Sequence, residues 1–483
     1  MLRSRTASIA ILAVGVASEF VVGLVPLSSK PRRVDVDAIA EQAVAVDVSS
    51  PYTPGAYSFL ERPIREASIV QLGESIHVTA EFPRARLQLI RYLHEQMGFD
   101  VLALEGSLTQ AWLAQEHLYR SSDPPDRRID HAQRLGWFKL WNTAEMRELM
   151  AYVELSRRTP RPLYLTSFDV QTGASAEFGM GQGVLSALVD GLGSFGTPAA
   201  VHATKNELVA ALAPIVQCPI GDPAGLGSAS APAAWAIDAI KTWIDVITPA
   251  VTRERPAAHL AALRLIPDNL RDHAALCEHA TSWQKTRDEL NADNALQLRE
   301  QVSAAHKIIL WAHHSHVGYN ASGARIPSMG QHVRERVGPG VYTVGLFAGG
   351  GHFLDVAPLS VHRLPALNKV GVERMLDAVG KQSYFVDLRS LPTADPTAGW
   401  LVPMASRMEG RWTRSAVLAR DFDGALYVRE VHPGTGMVPD GAFAVLRVFG
   451  FFVDHLIATA LVVFASLVRL VMGLVRFVRR AVP

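Results

Sequence analysis

The segment that decides the fold is the apolar run Ala67-Ser-Ile-Val-Gln-Leu-Gly73, which is followed at once by Glu74-Ser-Ile-His77. Short apolar runs separated by helical stretches are typical of parallel strands buried on both faces. Four more segments have this character, and we predict strands in them as well: 100–105, 162–169, 307–313 and 340–345. The sequence therefore predicts an α/β fold with a mostly parallel sheet and flanking helices.

Ionisable residues end four of these five segments. Glu74 follows the first strand, Glu105 ends the second, Asp169 ends the third, and His313 ends the fourth. In open α/β sheets, ligands bind in the crevice at the carboxyl ends of the strands. We therefore expect these side chains to converge on one active-site cleft. Asp169 is explained equally well by a helix cap or by a hydrogen bond at the sheet edge.

An arginine lies on the apolar face of the helix predicted over 81–97. On a helical wheel Arg86 falls among the apolar residues, whereas Arg84 and Arg91 fall on the opposite face. A buried guanidinium needs a carboxylate partner, and Glu74 and Glu105 are the nearest candidates. The pairing could serve catalysis, or it could be a salt bridge that ties the helix to the sheet.

Histidines supply the candidate acid–base groups. His77 lies three residues after Glu74, and a neutral imidazole beside a carboxylate is a common general base at pH 7. His313, His314 and His316 follow another strand. In an extended chain His314 points away from His313, but a turn after His314 would bring His313 and His316 to one side. That pair could hold a metal, polarise a carbonyl or relay a proton.

Several motifs that bind nucleotides or position a nucleophilic serine are absent from the sequence. It contains no GxSxG elbow, no P-loop and no GxGxxG after a strand, and Gly349-Gly-Gly351 is interpreted as a turn. Ser75 is a weak candidate nucleophile because bulky Ile76 follows it and no elbow of small residues surrounds it. Basic and acidic residues number 47 and 46, so the bulk charge gives no indication of nucleic-acid binding.

The order of these motifs resembles the erythromycin esterase family over roughly residues 62–390. The matching segments are Gly73-Glu-Ser-Ile-His77, Glu81-Phe82, Arg86, Gly98–Glu105, Phe168-Asp-Val-Gln171, Arg287-Asp288 through Asn294, and Trp311-Ala-His-His-Ser-His316. His314 departs from the pattern, since an asparagine is more usual there. The resemblance implies an α/β fold with a helical insertion.

The resemblance also implies a function, which is hydrolysis of a macrolide lactone without a metal or cofactor. His77 would activate water, Glu74, Arg86 and Glu105 would complete its network, and His313 and His316 would line the site. The substrate would be an ester or lactone, with antibiotic resistance as one role and a cell-envelope ester as another. Two alternatives stay open: a metal-dependent hydrolase at the same cluster, and a non-catalytic envelope protein.

Apolar segments at both ends predict membrane association. Residues 1–30, with Arg3 and Arg5 before an apolar stretch, indicate a signal peptide or membrane anchor. Residues 441–483 indicate a hydrophobic helix that spans the membrane, lies in its interface, or packs on the catalytic domain. Arginines from Arg469 onward favour a cytoplasmic C-terminus, with the catalytic domain on the other side of the membrane and lipid as a partner.

Between these ends, composition divides the chain into a linker and a catalytic domain. Residues 31–62 are rich in proline and are predicted to be a linker with one short helix, and 63–440 form the catalytic domain. A helical insertion is expected at about 175–300, and further strands at 341–347, 385–388 and 425–431. Cys218 and Cys277 are too few for a disulfide scaffold, although a single bridge is possible.

Overall fold

The computed structural model describes residues 31–136, 139–172, 182–198, 203–218, 226–278, 283–303, 305–319, 326–356, 359–408, 410, 412–437 and 445–450. The hydrophobic segments predicted at 1–30 and from 451 to 483 lie outside these residues. Within the described ranges, no helix combines the length and apolar character that a membrane crossing requires.

The described residues form an α/β fold in which helices surround one large sheet. The strands are β1 Val44–Ala45, β2 Ile69–Glu74, β3 Val101–Ser107, β4 Tyr164–Asp169, β5 Ile308–His313, β6 Val341–Val356, β7 Leu359–Arg363, β8 Ser383–Asp387, β9 Met404–Met408, β10 Trp412–Ala416 and β11 Gly424–Val431. The helices are α1 Arg33–Gln42, α2 Glu61–Ile64, α3 Glu81–Glu95, α4 Leu108–Arg120, α5 Pro125–Gly136, α6 Ala144–Ser156, α7 Gln182–Gly193, α8 Lys205–Gln217, α9 Ser230–Glu254, α10 Ala257–Glu278, α11 Trp283–Gln301, α12 His314–Val317, α13 Met329–Val337, α14 Val372–Asp377 and α15 Leu418–Asp421.

The main sheet, as far as the described residues define it, has nine strands in the order β1-β8-β11-β6-β2-β5-β3-β4, with β7 paired to β6. The strands from β11 to β4 in this order are all parallel, while β8, β1 and β7 pair antiparallel. β5 lies between β2 and β3, and in the β2–β5 register Glu74 is opposite His313. The carboxyl ends of β2, β5, β3 and β4 therefore meet along one edge.

Successive side chains of the central strands pack alternately into two separate hydrophobic cores. Val70, Leu72 and Trp311 point to one side, where they pack with α3, α5 and α6. Ile69 and Leu310 point to the other side, where the five helices α7–α11 cover the sheet. Burial on both faces explains why the strands are continuous apolar runs and do not alternate with polar residues. The predicted strands at 67–73, 100–105, 162–169 and 307–313 each agree with an observed strand to within two residues.

The interpretation of Gly349-Gly-Gly351 as a turn is wrong, because these residues continue β6. β11 approaches β6 so closely at Gly349 and Gly351 that side chains would not fit at these two positions. A Cβ atom on Gly349 would lie 2.1 Å from the Tyr427 hydroxyl, and one on Gly351 would lie 1.9 Å from the Val431 carbonyl oxygen. Glycine here permits strand pairing and does not break it.

The proline-rich segment predicted to be a linker contributes to the sheet. It contains α1 and β1, and Val44 of β1 pairs with Phe385 of β8 at the sheet edge. Tyr57 and Leu60 are buried in the core that contains α3. A two-residue edge strand carries almost no sequence signal, which is why composition alone predicted only the helix.

Candidate active site

The best-defined pair at the sheet edge is Glu74 and His77. Glu74 ends β2 and its side chain is 1% exposed, whereas the His77 side chain, in the following loop, is 21% exposed. Glu74 Oε1 lies 2.6 Å from His77 Nδ1. With a carboxylate at Nδ1, the fitting tautomer of His77 carries its proton on that nitrogen. In that tautomer Nε2 carries the lone pair and is the basic nitrogen of the ring.

The loop that carries His77 is held in a strained conformation. Val78 has φ +53°, which is rare for a β-branched residue. Its carbonyl oxygen accepts hydrogen bonds from the backbone N–H groups of Leu354 in β6 and Gly434 after β11, at 3.4 and 3.0 Å. Two distant segments thus fix the backbone next to His77, and such strain is often found where a side chain must be held in one position.

Arg86 of α3 holds Glu74 from the buried side. Its side chain is fully buried, as the helical wheel predicted, and Nη1 donates to Glu74 Oε2 at 2.7 Å while Nη2 donates to the Ala312 carbonyl oxygen at 3.2 Å. The guanidinium also lies over the Trp311 ring at 4.3 Å. Burial lowers the pKa of Arg86 to about 10 against the opposing pull of the nearby carboxylates, so it stays cationic at neutral pH.

Glu105 is not a hydrogen-bond partner of Arg86, contrary to one of the two pairings expected from the sequence. Its Oε2 accepts the backbone N–H of His313 at 3.0 Å, and its Oε1 lies 3.3 Å from both Arg287 Nη2 and His316 Nε2. Burial alone would raise the pKa of Glu105, but His316 and Arg287 outweigh it and hold that pKa well below its usual value. Glu105 is therefore a fixed anion.

His316 lies between two carboxylates. Nδ1 is 2.6 Å from Asp288 Oδ1, and Nε2 is 3.3 Å from Glu105 Oε1 and 3.4 Å from Arg287 Nη1. A ring that donates to both carboxylates carries a proton on each nitrogen. Burial opposes this charge, but Asp288 and Glu105 outweigh burial and raise the pKa of His316 to about 10. His316 is consequently an imidazolium at neutral pH and cannot accept a proton.

His313 is a neutral imidazole beside His77. The backbone N–H of Ser315 donates to its Nδ1 at 3.2 Å, and the Ser315 hydroxyl lies 2.8 Å from the same nitrogen. The proton of His313 therefore sits on Nε2. The rings of His313 and His77 are 4.9 Å apart. Burial, followed by the neighbouring His77, lowers the pKa of His313 well below the usual value, so this ring stays a neutral donor.

His314, the first residue of α12, points away from the cleft, as expected for the residue that follows His313. The chain turns into the one-turn helix α12, which brings His313 and His316 to the same side. The His314 ring packs against Phe347 and Phe422, and a Cβ atom on Gly73 would lie 2.7 Å from its Cδ2. The absence of a side chain on Gly73 thus leaves the space that the His314 ring occupies. Burial lowers the pKa of His314 well below its usual value.

Three residues of this cleft were not named as site residues from the sequence pattern. Arg287 and Asp288, on α11 of the helical insertion, bind Glu105 and His316, and Arg287 also forms an ion pair with Asp169. Trp141 donates to the Glu105 carbonyl oxygen at 3.1 Å and packs edge-on against His77. Arg287-Asp288 was among the segments that carried the family resemblance, but helical periodicity alone gave no indication that the pair faces a sheet edge.

The geometry therefore brings all six predicted residues to one edge, in two connected groups. Arg86, Glu74 and His77 form a line from a buried cation to a partly exposed imidazole. The second group, around Glu105, contains the His316 imidazolium and lies next to neutral His313. Such an arrangement can remove one proton at His77 and donate a hydrogen bond from His313, with fixed charges holding both rings in place.

Comparisons with known proteins identify relatives along most of the chain. A family model described as erythromycin esterase matches residues 94–431. The Bacillus subtilis (strain 168) protein named "Putative hydrolase YbfO" is 22% identical over 409 residues, covering 78% of this chain and 86% of its own.

Solved structures share the fold at low sequence identity. A Bacillus cereus protein matches with a TM-score of 0.64 and 15% identity, over 83% of this chain and 98% of its own. A succinoglycan biosynthesis protein matches with a TM-score of 0.59 and 17% identity, over 83% and 98%. A mutant of the erythromycin esterase EreC in its open conformation matches with a TM-score of 0.52 and 19% identity, over 80% and 96%. Because the family model spans well over half of the sequence, this chain belongs to the erythromycin esterase family.

Proposed function

We propose that this protein hydrolyses a carboxylic ester or lactone with water activated by His77. The observation that carries the proposal is the short Glu74–His77 contact of 2.6 Å, with Glu74 held in turn by the buried cation of Arg86. Glu74 orients the ring and stabilises its charged form, which is what a general base requires as it takes up a proton.

The reaction proceeds through a tetrahedral intermediate. Nε2 of His77 removes a proton from water as the water oxygen bonds to the ester carbonyl carbon. His313, a neutral donor through Nε2, donates a hydrogen bond to the developing oxyanion, a contribution of about 3 kcal/mol for one such donor. The His77 imidazolium then protonates the departing alkoxide, which yields an alcohol and a carboxylic acid.

The charges around the carboxylates favour water activation over metal catalysis. Glu74 is bound by Arg86, and Glu105 is bound by Arg287 and His316. A divalent cation at these carboxylates would be repelled by cations already in place. Turnover should therefore survive exhaustive chelation. Loss of turnover in chelator, restored by one added metal, would favour the metal-dependent alternative.

His77→Asn is the direct test of the base. It should lower kcat/KM by at least about a thousandfold on macrolide lactones, small lactones, aryl esters or acylated saccharides, whichever the wild type hydrolyses. The melting temperature should change little because His77 lies in a partly exposed loop. His432→Asn is the matched control, since His432 makes a similar 2.8 Å contact to Glu81 on the surface. Full activity of His77→Asn would place the base elsewhere, and no turnover by the wild type would favour the non-catalytic alternative.

A membrane location is part of the same proposal. Residues 445–450 are helical, and Val445, Val448 and Phe449 are 69%, 58% and 46% exposed. This apolar surface precedes the arginine-containing apolar segment that ends the sequence. We expect the full-length protein to fractionate with membranes and a variant lacking residues 441–483 to be released. Recovery of full-length protein without detergent would contradict this location.

A further inference from the structure

A second group of potential ligands lies outside the active-site cleft, where α4 ends and α5 begins. His117 is on the last turns of α4, Asp123 is in the connection, and His131 is on α5. One ligand atom from each residue lies within 4.8 Å of the others. Among the described residues, this is the group of three histidine, cysteine or carboxylate side chains whose ligand atoms lie close enough together to share one metal ion.

The two imidazoles of this group lie close together. Their ring centroids are 4.1 Å apart with the planes tilted by 51°. Nε2 of His117 is buried and has no hydrogen-bond partner among the described residues. Buried polar atoms in proteins are nearly always satisfied, so an unsatisfied nitrogen on a ring that lies 4.1 Å from a second imidazole is a candidate ligand atom.

The surrounding charge is mixed. Arg128 is engaged by Glu154, while Asp130 is engaged by Arg147. Arg127 and Arg134 also line the groove and reduce its attraction for cations.

We propose that His117, Asp123 and His131 bind one divalent transition-metal ion, and that this ion is zinc. Two imidazoles and one carboxylate form a ligand set that zinc accepts, with water in the remaining position. Magnesium and calcium prefer oxygen ligands and are disfavoured by the imidazoles. The nearby arginines predict an affinity below that of an all-cysteine structural site.

The proposed ion would act on the fold and not on the reaction. His117 lies ten residues after Ser107, the last residue of β3, which corresponds to roughly 15 Å along the axis of α4 at the rise of a helix. The ion would join α4 to α5. These helices precede Trp141 in the sequence, and Trp141 contacts both Glu105 and His77. Removing it should lower thermal stability while turnover persists. The inference does not depend on the proposed function.

The test is a zinc titration of the chelator-treated full-length protein against a chromophoric chelator of known affinity. One equivalent of zinc should bind, and Zn²⁺ should raise the melting temperature. His131→Ala and Asp123→Asn should each weaken binding by more than about tenfold without unfolding the protein, because both side chains are exposed. His117→Gln is a third variant for the partly buried ligand.

Two controls locate the ion. His432→Ala removes an exposed histidine outside the group and should bind zinc like the wild type. His77→Asn changes the active-site cleft and should also leave this equivalent in place. The proposal is overturned if no saturable equivalent forms at millimolar zinc, or if His131→Ala and Asp123→Asn bind as tightly as the wild type. Loss of the equivalent in His77→Asn alone would assign the ion to the cleft and equally overturn it.

Discussion

Replacing His316 with asparagine tests whether this residue is a permanent cation. Asparagine can still donate one hydrogen bond to Asp288, which lies 2.6 Å from His316 Nδ1, but it carries no charge. Asp288 and Glu105 would then share a buried region with Arg287 as the nearest remaining cation. Breaking a buried ion pair by removing one partner is costly because the other charge remains.

The size and direction of the effect follow from the pKa. In the folded protein the pKa of His316 is raised from 6.5 to about 10, because Asp288 and Glu105 outweigh the opposing effect of burial. Each pKa unit corresponds to about 1.4 kcal/mol, so the charged ring contributes roughly 5 kcal/mol to the free energy of unfolding. Because the folded pKa is the higher one, this stabilisation is complete below pH 6.5. It is lost as the pH rises from 6.5 to about 10.

The assay is urea unfolding of the wild type and of His316→Asn at several pH values from 6 to 10. We expect the largest difference in unfolding free energy near pH 6 and near convergence at pH 10. His306→Asn is a control, since His306 is 56% exposed and its positive φ suits asparagine. It should keep the wild-type pH dependence. A His316→Asn difference that is constant across this range, or an NMR titration of His316 near pH 6.5, would refute the reasoning.

Two more substitutions test the support of the Glu74–His77 pair. Arg86→Met leaves the buried carboxylate of Glu74 without its cation, so it should reduce the unfolding free energy by about 3–5 kcal/mol and lower turnover. Adding Glu74→Gln should restore part of that stability but no activity, and a stable, active Arg86→Met would contradict the assigned role. Gly73→Ala should lower both stability and activity, because its Cβ would lie 2.7 Å from the His314 ring. Gly183→Ala, where a Cβ meets nothing within 4 Å, should be neutral or stabilising by up to about 1 kcal/mol, and equal effects of the two alanines would contradict the steric argument.

The central strands could be predicted from the sequence because they are buried on both faces. Continuous apolar runs such as that of β2 need no knowledge of their neighbours to be recognised. The opposite holds for β1 and for the glycines of β6. β1 is defined only by its pairing with β8, and Gly349 is explained only by the Tyr427 hydroxyl that occupies the space of its missing side chain.

The convergence of the candidate site's side chains could be predicted where position along a strand determines direction. Because β2, β3 and β5 are parallel, their carboxyl ends place Glu74, Glu105 and His313 at one edge of the sheet, independently of how the helices are arranged. The partner of Glu105 could not be predicted, because Arg287 comes from the helical insertion and helical periodicity does not say how α11 is oriented over the sheet. The sequence therefore indicated which residues converge, but not which charges are paired.

The position of β5 between β2 and β3 has a consequence for biosynthesis. About 200 residues separate β3 from β5 along the chain, so the ribosome must release the whole helical insertion before the strand that completes the centre of the sheet exists. Until then β2 and β3 each present an unpaired apolar edge, which is a template for aggregation. During the same interval Glu105 lacks its partners Arg287 and His316, because both are synthesised later. Nascent chains should accordingly acquire chaperone dependence after β3 is made, and the ion pairs of Glu105 should form only after β5 and α12 have been made.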